Sequence, residues 1–238
     1  MRRERPISAV PGYVLICLPL ALILQVVFYY TQGGSRAKIE DLTAPPSLHT
    51  FRLMSFGEPI VAAKLTMLGL QSRDSVGGQQ QSLQQLNYAH LNAWLTRIVE
   101  LDPQAQYPFF VASQFYAVVE NEAKQRLILD WIYRSFLQDP DRRWKALAHA
   151  AILARHGLKD MSLAQTYARA IRLHATGSGV PPWAKQMEIF LLEDMNELEH
   201  AKILLGGLMQ SGQITDIYEM KFLEQRLIAL ENKIAQRK

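Results

Sequence analysis

The chain has 238 residues, enough for one sizeable helical body plus a separate segment, and its composition excludes several kinds of protein. Hydrophobic residues make up 49% and charged residues 20%, which indicates a largely globular chain rather than a disordered one. The single cysteine, Cys17, excludes an intramolecular disulfide, a thiolate metal site and CxxC redox chemistry.

The net charge of +4 invites a nucleic-acid interpretation, but the location of the charge argues against it. Residues 1–36 hold four arginines and one glutamate; without them, the 26 basic and 22 acidic residues of the chain fall to 22 and 21. A nucleic-acid binder needs a basic face that displaces counterions from phosphates. We therefore expect no nucleic-acid partner.

Residues 13–30 predict a transmembrane helix. This run of 18 residues is interrupted only by Pro19 and Gln25, and a bilayer-spanning helix needs about 20 mostly apolar residues. Tyr13 and Tyr30 lie at its two ends, where amphipathic rings favour the headgroup region. The lipid bilayer is thus an expected partner of residues 13–30.

The charges around this segment predict its orientation. Arg2, Arg3 and Arg5 lie in residues 1–12, so the positive-inside rule favours a short basic cytoplasmic N-terminus and a domain on the far side. For a bacterium this means a single-pass inner-membrane protein with a periplasmic C-terminal domain. A cleaved signal peptide and a buried core helix are the competing interpretations; a signal peptide usually has a shorter apolar region of about 7–15 residues.

The remainder of the chain predicts an all-α fold. Residues 31–50 are rich in turn formers and predict a linker, and residues 51–238 follow as a helical domain. Sustained period-2 alternation is missing from the sequence, so no sheet is expected. The predicted helices are 57–71, 86–100, 107–119, 122–138, 143–156, 160–174, 182–195, 197–211 and 216–235.

Alternate helices carry the same pattern at intervals of 35 to 38 residues. The aligned rows are Leu91-x3-Leu95-x2-Ile98, Ile128-x3-Ile132-x2-Ser135, Leu163-x3-Tyr167-x2-Ala170 and Ala201-x3-Leu205-x2-Leu208. Pro103 and Pro140 follow the first two rows at the same distance. One helical hairpin cannot bury its apolar face alone, so such hairpins are expected to stack.

Residues 86–212 resemble the tetratricopeptide repeat. The second helix of each repeat in that family carries a small-x3-aromatic-x2-small pattern ending in proline. In this chain, Trp144-x2-Leu147-Ala148-x2-Ala151 is similar to the pattern of the family's first helix. Ala148 replaces the family's glycine, and Ile98 and Leu208 occupy positions where the family has small residues. The resemblance implies a stack of hairpins, an α-solenoid, with a groove that binds peptides or partner proteins.

Candidate binding residues come from the aromatic segment 107–144. Core packing explains most of its rings, but Phe109, Tyr116 or Tyr133 would be binding anchors wherever one of them points into the groove. Glu197-x-x-His200 is the sharpest metal candidate, yet di-iron bundles use two such motifs and no second one is found. With nucleotide-binding and hydrolase motifs also missing, we expect no catalysis, no metal and no cofactor.

These expectations combine into a function. The sequence predicts a membrane-anchored protein-interaction scaffold or assembly factor whose helical-repeat domain binds partner proteins of an envelope complex. The main alternative is a permanent single-pass accessory subunit of a membrane protein complex. An enzyme with an unrecognised site is the third hypothesis.

Overall fold

The structure is a computed structural model that describes residues 12–31, 42–74, 81–212, 214 and 216–236. These residues form twelve α-helices and one short 3-10 helix, with no β-strand among them, so the all-α prediction is confirmed. The α-helices, numbered in chain order, are α1 Gly12–Thr31, α2 Leu48–Met54, α3 Pro59–Asp74, α4 Gln81–Gln85, α5 Tyr88–Leu101, α6 Tyr107–Gln114, α7 Glu122–Gln138, α8 Pro140–His156, α9 Met161–His174, α10 Pro182–Asp194, α11 Leu198–Gln210 and α12 Ile217–Ala235. The 3-10 helix spans Tyr116–Val118.

Local capping chemistry explains where the helices begin. The side chain of Asn121 accepts a hydrogen bond from the Lys124 backbone N at 3.0 Å, and Asp160 accepts one from the Leu163 backbone N at 2.9 Å. Such caps satisfy N–H groups that the first helical turn leaves without a partner. Proline opens α8 and α10, where its missing N–H costs nothing.

Successive helices pack against each other through most of the chain. Contacts join α7 to α8, α8 to α9, α9 to α10, α10 to α11 and α11 to α12, and they also join α5 to α7 and α6 to α8. The residues that align in the sequence repeat lie inside these contacts: Leu91, Leu95, Ile128, Ala201 and Leu205 are all buried. The packing is that of stacked helices, and the narrower likeness to tetratricopeptide repeats stays a prediction.

The buried side chains form two hydrophobic clusters that meet at α10. The larger cluster runs from Leu42 to Leu191, and the smaller one joins α10, α11 and α12. Leu223 and Leu230 of α12 are buried in the smaller cluster, whereas Phe222 is exposed on the outer side. The α12 helix therefore covers the end of the stack with one face.

The segment predicted as a linker, residues 31–50, differs from that prediction at its C-terminal end. Residues 42–47 pack on α5, where Trp94 Nε1 donates a hydrogen bond to the Thr43 carbonyl at 2.7 Å and Leu42 is buried. Helix α2 then begins at Leu48, since the Ser47 hydroxyl accepts from the Thr50 backbone N at 3.1 Å. Residues 42–50 thus belong to the helical body because Leu42 and Phe51 contribute to its core.

The predicted transmembrane segment lies within α1, a helix of 20 residues. Where side chains are described, no single helix is both long and apolar enough to cross a bilayer. The pair Leu48–Met54 and Pro59–Ser72, bent by 107°, reaches that length and hydropathy only in combination. The membrane anchor over residues 13–30 stays a prediction, and the side chains of Tyr13 and Tyr30 lie outside the described residues.

Candidate partner-binding groove

A groove of about 480 Å³ runs between α5 and α7. One wall is a row of α5 side chains spaced by four residues, Asn92, Thr96 and Glu100. Because an α-helix rises 1.5 Å per residue, this row is about 12 Å long. The opposite wall comes from α7, and the residues of that helix that line the groove are Trp131, Arg134, Ser135 and Gln138.

Hydrogen bonds between the two helices fix the walls of this groove. The indole Nε1 of Trp131 donates to the Thr96 hydroxyl at 2.8 Å, and Asn92 Nδ2 donates to the Leu127 carbonyl at 2.9 Å. The Thr96 hydroxyl in turn donates to the Asn92 carbonyl at 2.7 Å. A wall held by bonds on both helices is preorganised, which reduces the entropy lost when a ligand binds.

Arg143, in the first turn of α8, also lines the groove. Its side chain is 6% exposed and donates to the Ser135 carbonyl at 2.7 Å and to the Pro103 carbonyl at 3.3 Å. The guanidinium lies 4.7 Å from the centre of the Phe109 ring. Burial lowers the pKa of Arg143, and the negative charge of Asp139 opposes that shift. The group stays cationic at neutral pH because an arginine pKa lies so far above that range.

The rim of the groove carries charges of both signs. Arg134 pairs with Asp130 at 2.6 Å, and Glu100 pairs with Arg97 at 2.5 Å. These ion pairs are solvent-exposed and therefore contribute little to stability. The groove as a whole combines an apolar floor from Trp131 with polar groups along both edges, a combination that suits main-chain and side-chain contacts with a peptide.

One acceptor in the groove wall has an unmet hydrogen-bonding capacity. Asn92 Oδ1 is buried and has no hydrogen-bond partner among the residues that the structure describes. A buried polar atom without a partner carries the desolvation penalty of that group.

The predicted anchors Phe109 and Tyr116 lie in the core instead of on the groove surface. Phe109 is buried and stacks under Trp131 with ring centroids 5.2 Å apart. Tyr116 is 0% exposed. Neither ring is therefore exposed at the groove surface in this structure, and the role of the two residues in partner binding stays a prediction.

Tyr133, the third predicted anchor, is half-buried. Its ring packs against Tyr167 of α9 with centroids 5.3 Å apart. The structure does not bring it together with Phe109 and Tyr116 in one surface. Its role in partner binding stays a prediction.

The groove residues Asn92, Thr96, Gln138 and Arg143 were not singled out by the sequence. A signal exists for two of them, since Asn92 and Thr96 form a polar row directly beside the buried row of Leu91 and Leu95. Arg143 gives no such signal, because an arginine at a helix start is usually solvated.

The two residues of the metal candidate contact each other at the start of α11. His200 Nδ1 lies 2.5 Å from Glu197 Oε2, and both side chains are exposed. Within the described part of the chain, no group of three or more His, Cys, Asp or Glu side chains is placed to hold a metal ion.

Comparison of the chain with protein-family models gives no match, and comparison with curated proteins and with solved structures gives none either. The likeness to tetratricopeptide repeats thus rests on residue spacing and helix packing alone.

Proposed function

We propose that this chain is a membrane-anchored protein-interaction scaffold or assembly factor, and that the α5–α7 groove holds a segment of its partner protein. The observation that carries the proposal is the groove itself, which is lined by polar side chains of both helices together with Trp131. The proposed setting is the periplasmic face of a bacterial inner membrane, with partners from an envelope complex.

The dimensions of the groove favour a short peptide segment. Its walls run for about 12 Å, which corresponds to roughly four residues of extended chain at about 3.3 Å each. Asn92, Thr96 and Gln138 offer amide and hydroxyl groups to a main chain, and Glu100 and Arg134 offer one charge of each sign. Such a surface selects a partner by its polar pattern as well as by apolar contact.

Features of α1 support the tether. A helix of 20 residues is about 30 Å long, the thickness of a bilayer hydrocarbon core. Its described apolar side chains, including Leu20, Ile23 and Phe28, are exposed. Holding the groove at a membrane raises its effective concentration near membrane partners.

Site-specific photocrosslinking of the full-length protein in its native membrane tests this proposal. A photoreactive phenylalanine analogue at Arg134 or Gln138, both on the groove rim, should capture one discrete polypeptide. Lys202 of α11 is the matched control, because it is also a surface cation in an ion pair, with Glu231 at 2.9 Å. Equal capture at Lys202 and Arg134, or capture at neither, would contradict the assignment of the groove.

A further inference from the structure

The corner formed by α2 and α3 exposes a series of large apolar side chains. We define the elbow as residues 48–72, in which α2 and the first part of α3 meet at an angle of 107°. Its tip is Phe56, which is 95% exposed and has a φ of 50°, a backbone conformation that L-residues rarely adopt. Leu53 and Met54, on the α2 side of the tip, are also exposed.

Helix α3 is apolar on two opposite faces. Ala63, Met67 and Leu70 form one stripe at helical spacing, and all three are buried against the body. Val61, Leu65 and Leu68 form a second stripe, offset by two residues, and all three are exposed. A helix that is hydrophobic all round is usually buried in a core or in contact with lipid. In α3, the core covers only one of the two apolar faces.

Neither helix of the elbow is long enough to cross a bilayer by itself, but the pair can lie on a bilayer surface. Its helices have 7 and 16 residues, so neither exceeds about 24 Å, which is less than the roughly 30 Å of a hydrocarbon core. A sharply bent apolar pair of this length fits the interfacial region, where apolar side chains insert and flanking cations face the headgroups.

The charges and the chain connection also favour lipid. Arg52 and Lys64 are exposed beside the apolar stripe, with Glu58 as the opposing carboxylate and His49 at the start of α2. Eleven peptide units separate Thr31, at the end of α1, from Leu42, which limits their separation to about 40 Å. If α1 spans the bilayer, the elbow therefore stays close to its surface.

A cavity adjoins the elbow and is lined almost wholly by apolar side chains. It has a volume of about 390 Å³ and lies between Met54 of α2, Leu65 of α3 and Trp94 of α5. Its position beside the exposed stripe extends the apolar surface into the body.

From these observations we infer that the α2–α3 elbow is a second membrane contact, which inserts its tip into the headgroup and acyl boundary of the bilayer. The contact goes beyond the proposed scaffold function but rests in part on the tether of that proposal. It would hold the helical body against the membrane and fix the direction in which the α5–α7 groove faces.

Depth-resolved fluorescence quenching tests this inference on the full-length chain. In a Cys17→Ser background, Phe56→Cys and Leu65→Cys variants are labelled with an environment-sensitive dye and reconstituted into vesicles of phosphatidylethanolamine and phosphatidylglycerol. Leu137→Cys is the matched control, because Leu137 is an exposed leucine on α7. Circular dichroism establishes that each labelled variant is folded. The quenching at each elbow position is compared separately with the quenching at Leu137→Cys.

The expected result is a blue-shifted emission at both elbow positions and quenching by spin-labelled lipids several-fold stronger than at Leu137→Cys. Quenching no stronger than at Leu137→Cys would overturn the inference. So would an elbow dye that is shielded only when a co-purified polypeptide is present, because that outcome identifies a protein partner instead of lipid.

The native Cys17, labelled in the unmodified chain, reports on the tether independently. Quenching at Cys17 without quenching at the elbow would remove the second contact and leave the proposed tether intact. Quenching at the elbow without quenching at Cys17 would support the second contact and remove the tether.

Discussion

The buried carboxylate of Glu188 is the clearest test of how one helical hairpin is held to the next. Glu188 lies on α10 and is 0% exposed. It accepts hydrogen bonds from two arginines of α9, Arg169 Nε at 2.9 Å and Arg172 Nε at 2.7 Å. The change Glu188→Gln keeps the volume of the side chain and removes its charge.

The expected magnitude follows from the exposure of the two arginines. A hydrogen bond to a charged group contributes about 1.5–3 kcal/mol, and loss of a buried ionic partner costs up to about 5 kcal/mol. Arg169 has 58% of its side chain exposed and regains water, whereas Arg172 is less exposed and loses more. We expect Glu188→Gln to lower the free energy of unfolding by about 2–4 kcal/mol.

Urea unfolding in mild detergent, followed by far-UV circular dichroism, measures this change. Glu100→Gln is the matched control, because Glu100 makes a surface ion pair with Arg97 and its loss should cost less than about 0.5 kcal/mol. If the two variants unfold at the same urea concentration, the Glu188 carboxylate does not join the hairpins and the reasoning is refuted.

Further changes address the core, the end of the stack and the pH response. Burial lowers the pKa of His149, and a hydrogen bond to the Ser113 backbone opposes that shift. As the pH falls below about 6.5, His149 therefore takes up a proton in the unfolded chain before it does so in the folded protein. The free energy of unfolding declines in that pH range as a result. His149→Gln should lose this decline in urea titrations between neutral and mildly acidic pH, and an unchanged slope would contradict it. Arg226→Lys should speed hydrogen exchange in α10 and α12, because Arg226 of α12 makes two bonds to Glu193 of α10, at 2.8 and 3.0 Å, that lysine's single ammonium cannot reproduce. Unchanged exchange would exclude this role. Leu147→Ala should cost about 2–5 kcal/mol in urea unfolding, since the leucine is fully buried, and a cost below about 1 kcal/mol would show that the site collapses freely.

The helices could be predicted because their signals are local. The predicted helix 122–138 coincides with Glu122–Gln138, and the predicted helix 182–195 ends one residue beyond Pro182–Asp194. Asn121 and Pro182 mark these starts through capping and a fixed φ, which need no knowledge of the tertiary fold. The short helix Leu48–Met54 was missed because the prolines before it indicated a turn, although Ser47 carries the signal of a cap.

The groove could not be predicted because it depends on which apolar face meets which neighbour. From the sequence, core packing explained most of the aromatic rings in 107–144, and Phe109 and Tyr116 were candidates only if they pointed into the groove. Both rings are buried in the structure, and their burial depends on the neighbouring helices. The placement of Arg143 is likewise a tertiary effect: Phe109 and the Pro103 carbonyl cover a guanidinium that the sequence indicated to be solvated.

Hydrogen–deuterium exchange of the full-length protein with its crosslink-identified partner is the measurement that tests the central claim most directly. If the α5–α7 groove holds the partner, the amides of residues 92–100 and 131–138 gain protection on binding, and those of α11 do not. Protection confined to α11 and α12, or spread evenly along the stack, would contradict a binding site between α5 and α7.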